Sequence, residues 1–102
     1  MERHTISGFT TSGTTETKTL ITATADTLIL SMIFSNSELA DAEISVVHKD
    51  NTDAEIFKYA LGLAVTGSPI ALDSKVLLKS GDKVEITSNK DNVAIFATAV
   101  EV

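Results

Sequence analysis

The chemistry open to this chain rests on two histidines, one knot of carboxylates and a large stock of hydroxyls. Asp50, Asp53 and Glu55 fall in the stretch HKDNTDAE, and clustered oxygen ligands of that kind are what a hard cation such as calcium requires. The spacing departs from the D-x-[DN]-x-[DN]-G loop, because Thr52 stands at the third position and no glycine forces the sharp turn. A solvated acidic loop is the better reading, and no metal ligand is assigned. Neither His4 nor His48 stands in a recognisable relation to a serine or threonine, and no G-x-S-x-G elbow occurs. No acid, base and nucleophile can therefore be assembled, and the chain reads as a non-enzyme. His48 closes an alternating run, where a histidine is ordinarily packed or hydrogen-bonded. Asp82 and Asp91 belong to turns, where aspartate caps its own backbone. The five glycines are dispersed rather than gathered into a phosphate cradle, so no cofactor is expected. With one tyrosine and no tryptophan, the chain has little flat aromatic surface to offer a sugar ring.

Composition narrows the partners. A chain of 102 residues with 43% apolar content sustains a single packed core. Eight basic against fourteen acidic residues leave a net charge of −6, which opposes phosphate backbones and anionic membrane surfaces. Neither nucleic acid nor a membrane is an expected partner. The absence of cysteine excludes disulfides and thiolate metal sites and fits a reducing cytoplasm. MERHTISGFT has a charged start without the apolar run of a secretory signal. TLILSMIF, the longest apolar-rich stretch, falls far short of the roughly 20 residues of a membrane helix.

Short β-prone runs separated by turn residues every ten positions or so begin at Lys18 and predict an antiparallel β-sandwich of seven to eight strands, jelly-roll-like or immunoglobulin-like. In TLILSMIFSN, Leu28, Leu30, Met32 and Phe34 are expected on the core face and Ile29, Ser31, Ile33 and Ser35 on the other. AEISVVHK alternates Ile44, Val46 and His48 inward against Glu43, Ser45, Val47 and Lys49 outward. KSGDKVEITSN supplies a turn at Ser80-Gly81-Asp82 and then a strand with Val84 and Ile86 inward. The residues 89–92 are expected to close a C-terminal hairpin. AEIFKYALGLAV is ambiguous: Thr52 and Glu55 match a capping box and the apolar spacing fits a short helix over 53–62, while the neighbouring β context favours a strand. Pro69 fits a turn or a sheet edge. The threonine-rich start, residues 1–17, is expected to be an arm, flexible or docked on a neighbouring subunit through Ile6 and Phe9. Residues 18–102 would then form the sandwich domain.

The closing strand NVAIFATAVEV is apolar on both faces, with Val93, Ile95, Ala97 and Ala99 on one and Phe96, Val100 and Val102 on the other. A two-layer sandwich covers only one face of each sheet. The outer apolar residues of this strand and of TLILSMIF therefore predict a patch for self-association, carried by Ile29, Ile33, Phe96 and Val100. The competing cover for that patch is the N-terminal arm itself.

The order of segments resembles small virion structural proteins of tailed bacteriophages: LITATADTLILSMIFSNSELADAEISVVHKD, a polar hairpin, SPIALDSKVLLKSGDKVEITS and a closing NVAIFATAVEV. These include capsid decoration or cement proteins and other small sandwich components of head, neck or tail. The resemblance spans residues 18–102 and rests on packing and turn residues, such as the Leu78-Lys-Ser-Gly-Asp82 turn. It implies a homo-oligomer, most readily a trimer, bound to the major capsid protein or other virion proteins. It also implies location in the virion, after assembly in the host cytoplasm. Two further expectations stand beside that one: a neck or tail component, and a glycan-binding or adhesin module using the Asp50 to Glu55 loop.

Overall fold

The computed structural model describes residues 1–63, 69–73 and 75–102. Among these lie nine strands: β1 (Glu2–Ser7), β2 (Glu16–Thr22), β3 (Thr27–Asn36), β4 (Ala42–Lys49), β5 (Glu55–Leu63), β6 (Ile70–Leu72), β7 (Val76–Leu78), β8 (Lys83–Ser88) and β9 (Val93–Glu101). Sheet I has the order β1-β9-β3, with β6 and β7 sharing the far edge of β3, and sheet II has the order β2-β8-β4-β5. Every pairing is antiparallel, and the pairs are nested: β1 with β9, β2 with β8, β3 with β6 and β7, and β4 with β5. Nested pairs wrapped over two sheets make a jelly roll, with its sixth strand split into β6 and β7. The expected sandwich is present and takes the jelly-roll rather than the immunoglobulin arrangement.

Three expectations are corrected. Residues 1–17 are not a free arm, because β1 hydrogen-bonds along β9 from Glu2 opposite Ala99 to Ser7 opposite Ala94, which raises the count to nine strands. No helix forms over 53–62. Asp50 Oδ1 accepts the Thr52 N–H (2.8 Å), the Thr52 hydroxyl (2.6 Å) and the Ala54 N–H (3.0 Å), so the capping-box threonine closes a β4–β5 hairpin instead. β5 then runs beside β4 with Phe57 opposite His48 and Leu63 opposite Ala42. Ala64 and Val65, which end the ambiguous stretch, lie outside the described residues. Finally, residues 89–92 do not close a hairpin, since β8 belongs to sheet II and β9 to sheet I. The turn crosses between sheets, held by the Ser88 hydroxyl donating to Lys90 O (2.7 Å) and by Glu38 Oε2 accepting the Asn92 N–H (2.7 Å).

The core follows period-two alternation on most strands. Val93, Ile95, Ala97 and Ala99 of β9, Ile44 and Val46 of β4, and Val84 and Ile86 of β8 are all buried, as expected. β3 departs from simple alternation. Ile29 pairs with Ala99 and Ser31 with Thr98, so Leu30 is an extra residue in the ladder. This β-bulge moves Ile29 onto the same face as Met32 and Phe34, and all three are at most 2% exposed. The bulge also marks the break in the sixth strand, with β7 pairing Thr27 to Ile29 and β6 pairing Met32 to Phe34.

Asp82 ties three elements together. Its turn is closed by its own N–H donating to Lys79 O (2.9 Å), with Gly81 at φ +95°, a conformation that costs glycine nothing. Asp82 Oδ2 accepts the Lys79 N–H (3.0 Å) and lies 3.1 Å from His48 Nε2 at the end of β4. Its carbonyl accepts the Ala23 N–H beyond β2 (2.8 Å). His48 is thus the hydrogen-bonded strand-end residue that its position suggested. Asp82→Ala leaves His48 and the Lys79 N–H, both in part-buried contacts, without an acceptor and is expected to cost about 2 kcal/mol, from about 1 kcal/mol for each, the low end of the penalty for a group left unsatisfied. Urea denaturation measures this directly, and a loss below about 0.5 kcal/mol would show that the turn holds without the carboxylate.

Candidate functional site

The two outer faces of the sandwich differ in chemistry. On sheet II, Glu85, Val47 and Lys58 form one outward row, and Thr17, Thr87 and Ser45 another. Lys49 Nζ lies 2.8 Å from Glu85 Oε1, Lys83 sits 4.0 Å from the other oxygen of Glu85, and Lys83 also pairs with Asp53. The Glu85 contact raises the Lys49 ammonium above its ordinary value. The Lys83 contact holds the Asp53 carboxyl below its own, and hydrogen bonds from Thr52 and Ala54 do the same for Asp50. One carboxylate of the acidic hairpin thus closes it and a second ties it to β8, and this face is wet, as the exposed side of an antiparallel sheet ordinarily is.

Sheet I lacks such a wet side. Thr5, Phe96, Ile33 and Ala71 stand side by side across β1, β9, β3 and β6. Val100, Leu28 and Leu77 form a second row across β9, β3 and β7. Phe96, Ile33 and Leu77 are 37%, 38% and 49% exposed, and Leu28 and Val100 are half-buried. Arg3 is the one charged residue in the outward-facing positions of these described strands. A shallow groove of about 320 Å³ runs beside Phe96, floored by Ile6 and Ile95 and flanked by Thr5, Ile33 and Ala94.

Of the residues expected to carry self-association, Ile33, Phe96 and Val100 are brought together on this face. Ile29 is not: it is 0% exposed, because the extra residue Leu30 turns it into the core. The arm-docking pair is likewise placed in the chain's own fold. Phe9 is a core residue at 3% exposure, its N–H donating to Asp91 O (2.8 Å), and Ile6 pairs with Ile95 and packs against the core. β1 therefore extends sheet I sideways instead of lying over it, and the outer patch stays open. Alternation alone located Phe96, Val100 and Ile33. Leu77 and Ala71 were missed, because short strands of three residues carry no readable period.

A second, polar cleft lies where the N-terminal turn meets the crossing between sheets, lined by Thr11, Ser12, Gly13, Glu38 and Asn89 to Asn92. Asp91 Oδ1 accepts both the Thr11 hydroxyl (2.6 Å) and the Thr11 N–H (2.9 Å), and these bonds hold the Asp91 carboxyl below its ordinary value. The cleft is a strut between two loops. Because the folded carboxyls of Asp91, Asp50 and Asp53 titrate below their unfolded values, their contribution to stability is complete above about pH 4 to 5. It is lost as pH falls through the folded values. Urea midpoints should be level from pH 7 to about 5 and fall below about 4. The acid slope of Asp91→Asn should be shallower than that of the parent, and an identical slope would remove Asp91 from the account.

No protein-family model, curated protein or solved structure matches the chain.

Proposed function

We propose that this chain is a non-enzymatic structural subunit of a virion, a capsid decoration or cement protein of the tailed-bacteriophage kind, that self-associates through the outer face of sheet I and bridges neighbouring capsid subunits. The observation that carries the reading is the contrast between the two outer faces. An isolated sandwich gains from two wet faces, and here one of them is a run of Phe96, Ile33, Leu28, Val100 and Leu77 with Arg3 at its margin. A chain of net charge −6 meets its own copies with least repulsion through a face without carboxylates. The jelly roll itself recurs in viral capsid domains, a likeness of fold that agrees with the reading.

The work is mechanical. Three strands' width of exposed apolar sheet, joined to a rigid β framework, adds buried area across the joints of a shell and raises the cost of pulling the joints apart. The first test is solution mass by light scattering. A trimer, at three times the 10.8 kDa of one chain, is the expected result. A single-chain mass across the micromolar range would overturn self-association through this face. Sedimentation of the labelled protein with empty capsids then tests the capsid partner.

A further inference from the structure

The hollow beside Phe96 has a physical cause in the outer rows of sheet I. Ser7, Ala94 and Ser35 stand side by side across β1, β9 and β3, one row from Thr5, Phe96 and Ile33. Three small side chains next to a phenylalanine and an isoleucine leave the groove of about 320 Å³. At the same end of the sheet, the loop from β3 to β4 displays Leu39. Its side chain is 93% exposed, more than any other large apolar one among the described residues. A single exposed leucine is ordinary on a protein surface; this one is presented by a fixed loop. Buried Asn36 accepts the Glu38 N–H through Oδ1 (2.9 Å) and donates through Nδ2 to Ala40 O (3.1 Å), so it clasps the backbone on both sides of Leu39. The Ser37 N–H donates to Asn92 O (3.0 Å) and Glu38 Oε2 accepts the Asn92 N–H (2.7 Å), which pins the loop to the residue before β9.

We propose that Leu39 of one copy seats in the hollow over Ala94 of the next copy, as the anchor of the self-association proposed above. The inference rests on that reading of sheet I and names the side chain that enters the face. Charge selects the occupant. Glu38 precedes Leu39 and Asp41 follows it two positions on, whereas Lys18 reaches the rim of the hollow, its Nζ 3.5 Å from Ser7 O. An apolar tip flanked by acids thus meets an apolar hollow with an ammonium at its edge. Because the loop is already fixed, little ordering entropy opposes the contact. Tip and hollow are different surfaces of the chain, so the contact runs head to tail and closes into a ring where the rotation allows, the arrangement that a trimer has.

Leu39→Ser removes an exposed side chain, so the fold should stand by circular dichroism. The dissociation constant of the oligomer should rise at least about tenfold, for the loss of one buried leucine. Leu39→Met, which keeps length and apolarity, should hold the parent's mass by light scattering. Cysteines report the address, because the chain has none of its own. Leu39→Cys chains mixed with Thr5→Cys chains and mildly oxidised should give a mixed covalent pair, about tenfold more than the same chains give with Thr17→Cys on the outer face of sheet II. Two singly substituted chains exclude a bridge within one chain. Equal yields from the two mixtures, or unchanged affinity in Leu39→Ser, would overturn the proposal. Unchanged affinity together with lost sedimentation on empty capsids would overturn it and assign Leu39 to the capsid partner. An oligomer indifferent to Leu39→Ser but dissolved by Phe96→Lys with Val100→Lys sinks this contact and leaves the sheet I face standing. A parent chain of one-chain mass sinks the face and the contact together, so the two failures are told apart.

Discussion

Ile29→Asp is expected to unfold the domain, and Ile33→Asp, four positions along the same strand, to leave it folded. Simple alternation puts both side chains on one face, so equal effects would be the outcome for a regular strand. The bulge at Leu30 separates them. Ile29 is fully buried beside Phe34 and Met32, whereas Ile33 is 38% exposed on the outer face. An aspartate at the first position would sit within the hydrophobic core cluster. Burying an unpaired charge exceeds the ~4–5 kcal/mol that marks an exceptional single change, which is comparable with the whole stability of a small domain. At the second position the loss is about 1 kcal/mol, the span of strand propensity. Circular dichroism and urea midpoints for the two variants decide the matter, and a folded Ile29→Asp would mean that the bulge is misplaced.

Phe96→Lys with Val100→Lys should dissolve the oligomer while the monomer keeps its fold. Both residues sit on the outer rows of β9, whose inner residues carry the core contacts. Two added lysines move the net charge from −6 toward neutrality, so a loss of association cannot be assigned to greater overall repulsion. Burying ~400 Å² of apolar surface per copy at ~25 cal/mol/Å² gives on the order of 10 kcal/mol. Against it stand the roughly 4–15 kcal/mol of lost translational and rotational freedom. Two ammonium groups in the centre of such a face reverse a balance that close. Light scattering should fall to one-chain mass, with an unchanged circular dichroism spectrum. An unchanged oligomer mass in the double variant would place the self-association elsewhere.

Much of the architecture was legible in the residue pattern, because a strand's side chains alternate wherever one face is dry and the other wet. β4 and β8 read correctly residue by residue, Gly81 marked its turn, and the double apolar character of β9 announced an outer patch. Those features depend on contacts between near neighbours in sequence. The acidic hairpin was also placed as a loop, although which atoms its carboxylates grip could not be read from spacing.

What the chain alone could not reveal depends on who lies beside whom. Leu30 is an extra residue only against Ala99 and Thr98 of a strand some seventy positions away, so the face of Ile29 was undecidable until that register existed. Residues 2–7 look like an arm because they are polar and short. They become a strand because β9 offers them an open edge and Phe9 finds room in the core. The stretch 53–62 fits a helix by its own caps and spacing, and is drawn into the sheet because β4 presents unpaired backbone groups that a helix would leave unsatisfied. The turn at 89–92 crosses between sheets for the same reason, since β9 is needed between β1 and β3. Local alternation thus determined which residues form strands and which side of most strands is dry. Only the tertiary pairing decided their neighbours, because hydrogen-bond partners in a sheet are set by long-range register, which no local pattern encodes.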